Sequence, residues 1–145
     1  MADYDIVNIS TTFNKSIKNL INIMNESIHN NVMFDTIKRR VKIVIDTNPL
    51  LLLQEGGVYI FKYRDYIKND QLDDLLLNPS SILNDNAEIK EYIDNNESDS
   101  NNINMLLNLL KDIWVNYDKS EKKIIKKNIK ILLSEYCKYL STTNN

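Results

Sequence analysis

The chain has 145 residues, of which 43% are apolar and 26% are charged, and its net charge is −2. This length and composition suit one globular domain with a single core, so we expect one domain over residues 1–145. The small negative charge gives no overall reason to expect binding to nucleic acid or to an anionic membrane.

Three features bear on where the protein works. No unbroken apolar run is longer than the four leucines at 50–53, far short of the ~20 residues that a membrane-spanning helix needs. The acidic N-terminus lacks the basic start and apolar stretch of a signal peptide. Cys137 is the one cysteine and cannot form an internal disulfide. We therefore expect an intracellular protein that is not secreted and has no membrane span.

The first third of the chain has the apolar spacing of two helices. The apolar residues on one face of the first helix are Ile9, Phe13, Ile17, Leu20, Ile21, Met24 and Ile28. We expect hydroxyl caps for this helix at Ser10 to Thr12. Asn30 and Asn31 mark a break, and a second helix ends near Pro49. Residues 41–45 are rich in β-branched side chains, so a strand there stays an alternative to the helix that we prefer.

The middle of the chain predicts several short helices. Pro49 can be the first residue of one, and Gly56 can end it in a left-handed cap. A helix is expected over 58–68, and another from Asp70 to Leu77. Residues 84–94 allow a brief acidic helix.

The last third predicts two longer helices. Residues 95–102 are polar throughout and predict a mobile loop. The helices that follow, near 103–117 and 124–140, are joined by Asp118 and Glu121 at capping-box spacing. We expect an antiparallel C-terminal helix hairpin, a disordered tail at 141–145, and overall an all-α single-domain bundle of six to eight helices.

The sequence offers little for catalysis. His29 is the one histidine, so a zinc site of His and Cys ligands is excluded, and no nucleophile has a motif around it. The Gly56-Gly57 pair lacks the spacing of a phosphate-binding loop. We predict no catalytic, cofactor or metal residues, and a protein that is not an enzyme.

The segment after the glycines is the first candidate for binding a partner. Its aromatic and charged residues are Tyr59, Tyr63, Arg64, Asp65 and Tyr66. The three tyrosines share one face of a continuous helix, and tyrosine and arginine are favoured at protein interfaces. Plain core packing is the alternative.

A lysine stripe on the last helix is the second candidate, and its members are Lys119, Lys122, Lys123, Lys126, Lys127 and Lys130. At 100° per residue they lie within an arc of roughly 140°. Such a stripe can attract an acidic partner, including the acidic middle of a second copy, or follow the phosphates of nucleic acid. It holds no arginine or aromatic residue for reading or stacking bases. A simple solvated face is the remaining interpretation.

Part of the chain resembles proteins of giant DNA viruses. The run from Gly56 to Asp70, followed by Leu75 to Leu77, is similar to an aromatic-rich segment in small uncharacterised helical proteins of that group. Trp114 and Tyr117 before the lysine-rich helix are similar in style. The excess of Asn, Ile and Lys agrees with an A/T-rich genome. The resemblance implies a virion-associated or infection-related helical protein and carries over no catalytic residue.

These observations lead to one main expectation and two alternatives. The first is a non-enzymatic helical protein that acts in protein–protein interaction or assembly, including self-association. The second is association with nucleic acid through the lysine stripe. The third is a Bcl-2-like host-modulating protein, which would share the all-α class and size, although the chain lacks that family's Asn-Trp-Gly-Arg motif.

Overall fold

The computed structural model of the chain describes residues 2–78, 85–87, 91, 95 and 97–143, with the backbone alone for 2–4 and 97–103. These residues confirm the predicted all-α fold. Seven α-helices lie in the described part, together with one π-helical turn at Leu52–Gly56, and no described residue is in a strand. The helices are α1 (Ala2–Asn25), α2 (Val32–Thr47), α3 (Gly57–Lys62), α4 (Arg64–Lys68), α5 (Leu72–Leu76), α6 (Glu97–Asn116) and α7 (Lys119–Thr143).

The long helices α1 and α7 form the centre of the fold. Ile9 and Phe13 pack against Leu132 and Tyr136, while further along α1 the Asn19 amide donates to Asn128 Oδ1 at 3.2 Å. Early residues of α1 therefore meet late residues of α7, so the two helices run antiparallel. Apolar residues at helical spacing on both helices produce this contact.

The start of α1 differs from the expected hydroxyl cap. The helix already begins at Ala2, so Ser10 and Thr11 lie inside it. Their hydroxyl groups donate to the backbone carbonyl of Val7, at 3.0 Å and 2.8 Å. Such bonds satisfy a hydroxyl group inside a helix, so Ser10 and Thr11 are compatible with the helix interior.

The break between α1 and α2 is confirmed at Asn30 and Asn31. Asn30 adopts φ 56, a left-handed conformation that asparagine tolerates. Asn31 is the N-cap of α2, and its side chain accepts from the Phe34 backbone N–H at 2.8 Å. Residues 41–45 lie within α2, so the helical alternative is the one that the structure shows. Phe34 then joins Ile28 of the turn and packs against α6.

The predicted helix stop at Gly56 is wrong. Gly56 has φ −78 and ψ −34, and Gly57 has φ −60 and ψ −31, so both glycines are helical. The chain passes from the π-helical turn directly into α3. A Cβ atom on Gly57 would lie 2.0 Å from Cδ1 of the Tyr136 ring, whereas nothing lies within 4 Å of one on Gly56. Gly57 is thus required for close approach to α7, not for a turn.

The predicted helix over 58–68 is divided at Tyr63. This residue has φ −103 and ψ 22, which ends α3, and α4 starts at Arg64. The bend is followed by burial of Ile67, which packs with Leu72, Leu75 and Leu133. The segment therefore packs against α7 as two short helices and not as the one continuous helix that its periodicity predicts.

The start of α5 also differs from the prediction. Asp70 adopts φ 58 and lies in the turn before α5, outside the helix. Aspartate tolerates this left-handed conformation better than most residues. The possible acidic helix at 84–94 lies mostly outside the described residues.

The polar segment 95–102 differs most from its expected form. Helix α6 begins at Glu97, so residues 97–102 are helical instead of forming a loop, and Asn95 is helical as well. The tail behaves similarly: α7 extends to Thr143, so 141–143 are helical, and 144–145 lie outside the described residues.

The junction between α6 and α7 has the predicted capping box. Asp118 Oδ1 accepts from the Glu121 backbone N–H at 2.7 Å, and Glu121 Oε1 accepts from the Asp118 backbone N–H at 3.1 Å. Trp114 and Tyr117 of the junction region pack with Ile125. Antiparallel pairing of α6 and α7 beyond this junction stays a prediction. Among the described residues, no helix combines the length and hydropathy that crossing a membrane requires.

Candidate functional site

A groove runs along one face of α7, beside α5 and the end of α6. Its volume is about 910 Å³. The residues that line it are Asp70, Asp73, Leu77, Trp114, Lys119, Lys122, Lys123, Lys126, Lys127, Lys130, Ile131 and Ser134. The groove therefore contains all six lysines of the predicted stripe.

The helical period of α7 places these lysines in one row. Residues three or four apart on a helix are neighbours, and from Lys119 to Lys130 the row spans about 16 Å at 1.5 Å per residue. Lys122 and Lys126 are half-buried, and the other four are exposed. Within the described part of the chain, those four form no ion pair. The groove thus has a row of positive charges open to solvent.

Lys126 is the lysine that the chain itself neutralises. Its ammonium group lies 3.1 Å from Asp73 Oδ2 and 3.7 Å from Asp70 Oδ1. The hydrogen bond to Asp73 raises the pKa of Lys126 above its ordinary value of 10.5, against the opposing effect of burial, and the charges of Asp73 and Asp70 add to the rise. Among the described residues that line the groove, six lysines face two aspartates, so this lining carries a net positive charge.

Asp73 also binds the tryptophan at the groove wall. Trp114 Nε1 donates to Asp73 Oδ1 at 3.1 Å, and the Lys122 ammonium lies 5.2 Å from the centroid of the indole ring. The Trp114 side chain is only 4% exposed. Its faces and its N–H group are therefore occupied within the protein, and the ring is not free to stack on a base.

Sequence reasoning missed the roles of Asp73 and Trp114 in this site. In the sequence, Asp73 lies within the helix expected from Asp70 to Leu77, and Trp114 lies within the helix expected near 103–117. The hydrogen bonds that Asp73 accepts come from residues 41 and 53 positions away. No local spacing indicates such contacts, because they depend on how α5, α6 and α7 pack.

The tyrosine segment is less continuous than predicted. Tyr63 and Tyr66 lie together, with ring centroids 6.3 Å apart, and the Tyr63 hydroxyl accepts from the Asn86 amide at 3.2 Å. Tyr59 lies before the bend and is exposed, as is Tyr66. The predicted stripe is therefore divided, and a binding role for its tyrosines stays a prediction.

Arg64 and Asp65 do not act as a pair. The Arg64 guanidinium lies 4.4 Å from the centroid of the Phe61 ring and donates to the Phe61 backbone carbonyl at 3.1 Å. That bond satisfies a carbonyl at the end of α3. Asp65 is exposed, and no ion pair joins it to Arg64. Arg64 thus stabilises the bend between α3 and α4.

The other reactive side chains stand apart from the groove. His29 is exposed in the turn between α1 and α2, and Cys137 is half-buried beside the cluster that contains Leu133. Among the described residues, no group of three or more His, Cys, Asp or Glu side chains is placed to hold a metal ion.

Comparison with known proteins yields no relative for this chain. No protein-family model matches it, and neither a curated protein nor a solved structure matches it. The resemblance to giant-virus proteins therefore stays a prediction.

Proposed function

We propose that this protein is a non-enzymatic binding protein that holds an acidic segment of a protein partner in the lysine groove. The observation that carries the proposal is the row of lysines on α7, four of them exposed and without an ion-pair partner among the described residues. Several like charges on one rigid helix attract an acidic chain and orient it along the helix axis.

The hydrogen bonds of Asp73 support this proposal. Asp73 receives a hydrogen bond from Lys126 at one oxygen and from Trp114 at the other, both at 3.1 Å. A carboxylate of a partner would meet the same kind of donor at the exposed lysines. Charge-assisted hydrogen bonds of this type are stronger than those between neutral groups.

The lining favours a peptide over nucleic acid. Of the described residues that line the groove, none is an arginine and the one aromatic residue, Trp114, is buried, so this lining offers no platform for base stacking. Leu77 and Ile131 add apolar surface, which suits the mixed side chains of a peptide.

The test compares two triple variants of equal charge change. In the first, the exposed groove residues Lys123, Lys127 and Lys130 become glutamine. The matched control replaces Lys42, Lys68 and Lys111 by glutamine; these lysines are exposed on three other helices and do not line the groove. Both proteins, and the wild type, are titrated by fluorescence anisotropy with a labelled poly-L-glutamate peptide and with labelled oligothymidine.

At about 0.01 M salt, the wild type should bind the peptide more tightly than the oligonucleotide. Its affinity for the peptide should be lower at about 0.15 M salt than at about 0.01 M, because salt screens exposed charges. Exposed ion pairs contribute about 0.2–1 kcal/mol each, so the groove variant should lose about 2 kcal/mol, a roughly thirtyfold weaker Kd. The control variant should lose much less. Equal losses in the two variants would place binding elsewhere, and preferred binding of oligothymidine would favour nucleic acid as the partner.

A further inference from the structure

Asp73 connects three helices at the wall of the groove. Its carboxylate lies on α5, and it accepts one hydrogen bond from Trp114 of α6 and one from Lys126 of α7. A negatively charged side chain of the protein itself therefore occupies the half-buried centre of the lysine row.

The position of Asp73 does not depend on its ion pair alone. Its neighbours on α5, Leu72 and Leu75, are buried against Leu133 of α7 and anchor the helix. The carboxylate is thus held near Lys126 at a high effective concentration, as a tethered ligand is.

The same contact is open to replacement. The side chain of Asp73 is 44% exposed and that of Asp70 is 66% exposed. The side chain of Lys126 is itself 20% exposed, so a carboxylate arriving from solvent can reach its ammonium group without unfolding α5. Because exposed ion pairs are weak, each of these contacts resists replacement only modestly.

We infer that Asp73 is a built-in competitor for the groove, which occupies Lys126 in the free protein and gives it up when an acidic segment binds along the whole lysine row. This inference rests on the proposed function and adds its regulation. A competing internal ligand lowers the apparent affinity by the fraction of molecules in which the site is open. The groove thereby binds a partner with several carboxylates in preference to an isolated acidic group.

The variant that tests this inference is Asp73→Asn. Asparagine keeps one carbonyl oxygen, which can accept from Trp114, and replaces the charged oxygen that accepts from Lys126 by an uncharged amide nitrogen. The matched control is Asp74→Asn, since Asp74 is the next residue of α5, is exposed and does not line the groove. Both variants change the net charge by the same amount.

Two measurements are made on each full-length protein. One is the Kd for a poly-L-glutamate peptide at low salt. Binding should become roughly threefold to fivefold tighter in Asp73→Asn, as expected for the loss of one exposed ion pair. The Kd should change little in Asp74→Asn. The other is the pKa of the Lys126 ammonium group by NMR, assigned with Lys126→Arg. It should lie above 10.5 in the wild type and Asp74→Asn and be lower in Asp73→Asn.

The possible failures are distinguishable. If the Lys126 pKa is the same in the wild type and Asp73→Asn, the internal contact does not form and the inference is overturned, whatever the peptide does. If both aspartate variants gain affinity equally, the gain reflects net charge and the inference is also overturned. If the contact forms but no protein binds the peptide, the proposed function fails and the competitor role falls with it.

Discussion

Replacing Gly57 by alanine should destabilise the protein, although alanine is the better helix former. A Cβ atom at this position would lie 2.0, 2.5 and 2.7 Å from three ring atoms of Tyr136. The ring has little room to move: it is 6% exposed and packs against Phe61 and Tyr139 with centroid distances of 5.9 and 6.0 Å. The backbone of α3 must therefore shift away from α7.

The magnitude follows from two opposing effects. Overpacking a well-filled core costs about 1–3 kcal/mol. Replacing a helical glycine by alanine raises the free energy of unfolding by about 0.5–1 kcal/mol. We therefore expect Gly57→Ala to lower the free energy of unfolding by about 1–2 kcal/mol. Gly56→Ala is the matched control, because that glycine is also helical and has open space around it; it should raise the free energy of unfolding by about 0.5–1 kcal/mol.

Urea denaturation followed by far-UV circular dichroism measures both changes on one scale. A third variant, Tyr136→Leu, tests the cause: the cost of Gly57→Ala should largely disappear in that background, since the ring is gone. Gly57→Ala as stable as Gly56→Ala would refute the reasoning. So would an undiminished cost in the Tyr136→Leu background, because the cost would then not come from the ring.

Two further predictions concern α7. Asp118→Ala should lower the free energy of unfolding by about 1 kcal/mol, because it removes the side-chain acceptor of the capping box. Asp118→Ser should retain most of the stability, since serine can accept the same hydrogen bond. Equal urea midpoints for the two variants would contradict this role. Burial raises the pKa of Tyr136 in the folded protein above its ordinary value of 10.0. As the pH rises, the unfolded state therefore loses the tyrosine proton before the folded state does. The contribution of Tyr136 to the free energy of unfolding is fully present below pH 10.0 and is lost as the pH rises through the higher folded pKa. Tyr136→Phe should therefore lose less stability than the wild type between neutral and alkaline pH, while Tyr59→Phe, at an exposed ring, should behave as the wild type does. The measurement is the urea midpoint of the wild type and of each variant, at neutral and at alkaline pH.

Much of the helical framework is predictable because a helix depends on neighbouring residues. The apolar spacing of α1, the Asn30–Asn31 break and the Asp118–Glu121 capping box all involve partners within one or two turns, and the structure shows each of them. The lysine row is of the same kind. Its six members share a face of α7 because the 3.6-residue period requires it.

The predictions that were wrong involve residues whose conformation depends on distant partners. Gly56 and Gly57 suggest a helix stop, but the Tyr136 ring determines why a glycine is needed at 57. The tyrosine segment has the period of one helix, yet burial of Ile67 is accompanied by a bend at Tyr63. The polar composition of 95–102 suggests a loop, but its residues from Glu97 onward extend a helix that is packed further along.

The sequence by itself determined the all-α class and the row of positive charge, because both follow from interactions between residues three or four apart. Only the tertiary structure decided what that row faces. It placed Asp73 and Trp114 beside Lys126 by packing α5 and α6 against α7. The physical reason is that contacts between helices depend on how all their apolar faces are buried together, and no local spacing in the chain specifies that arrangement.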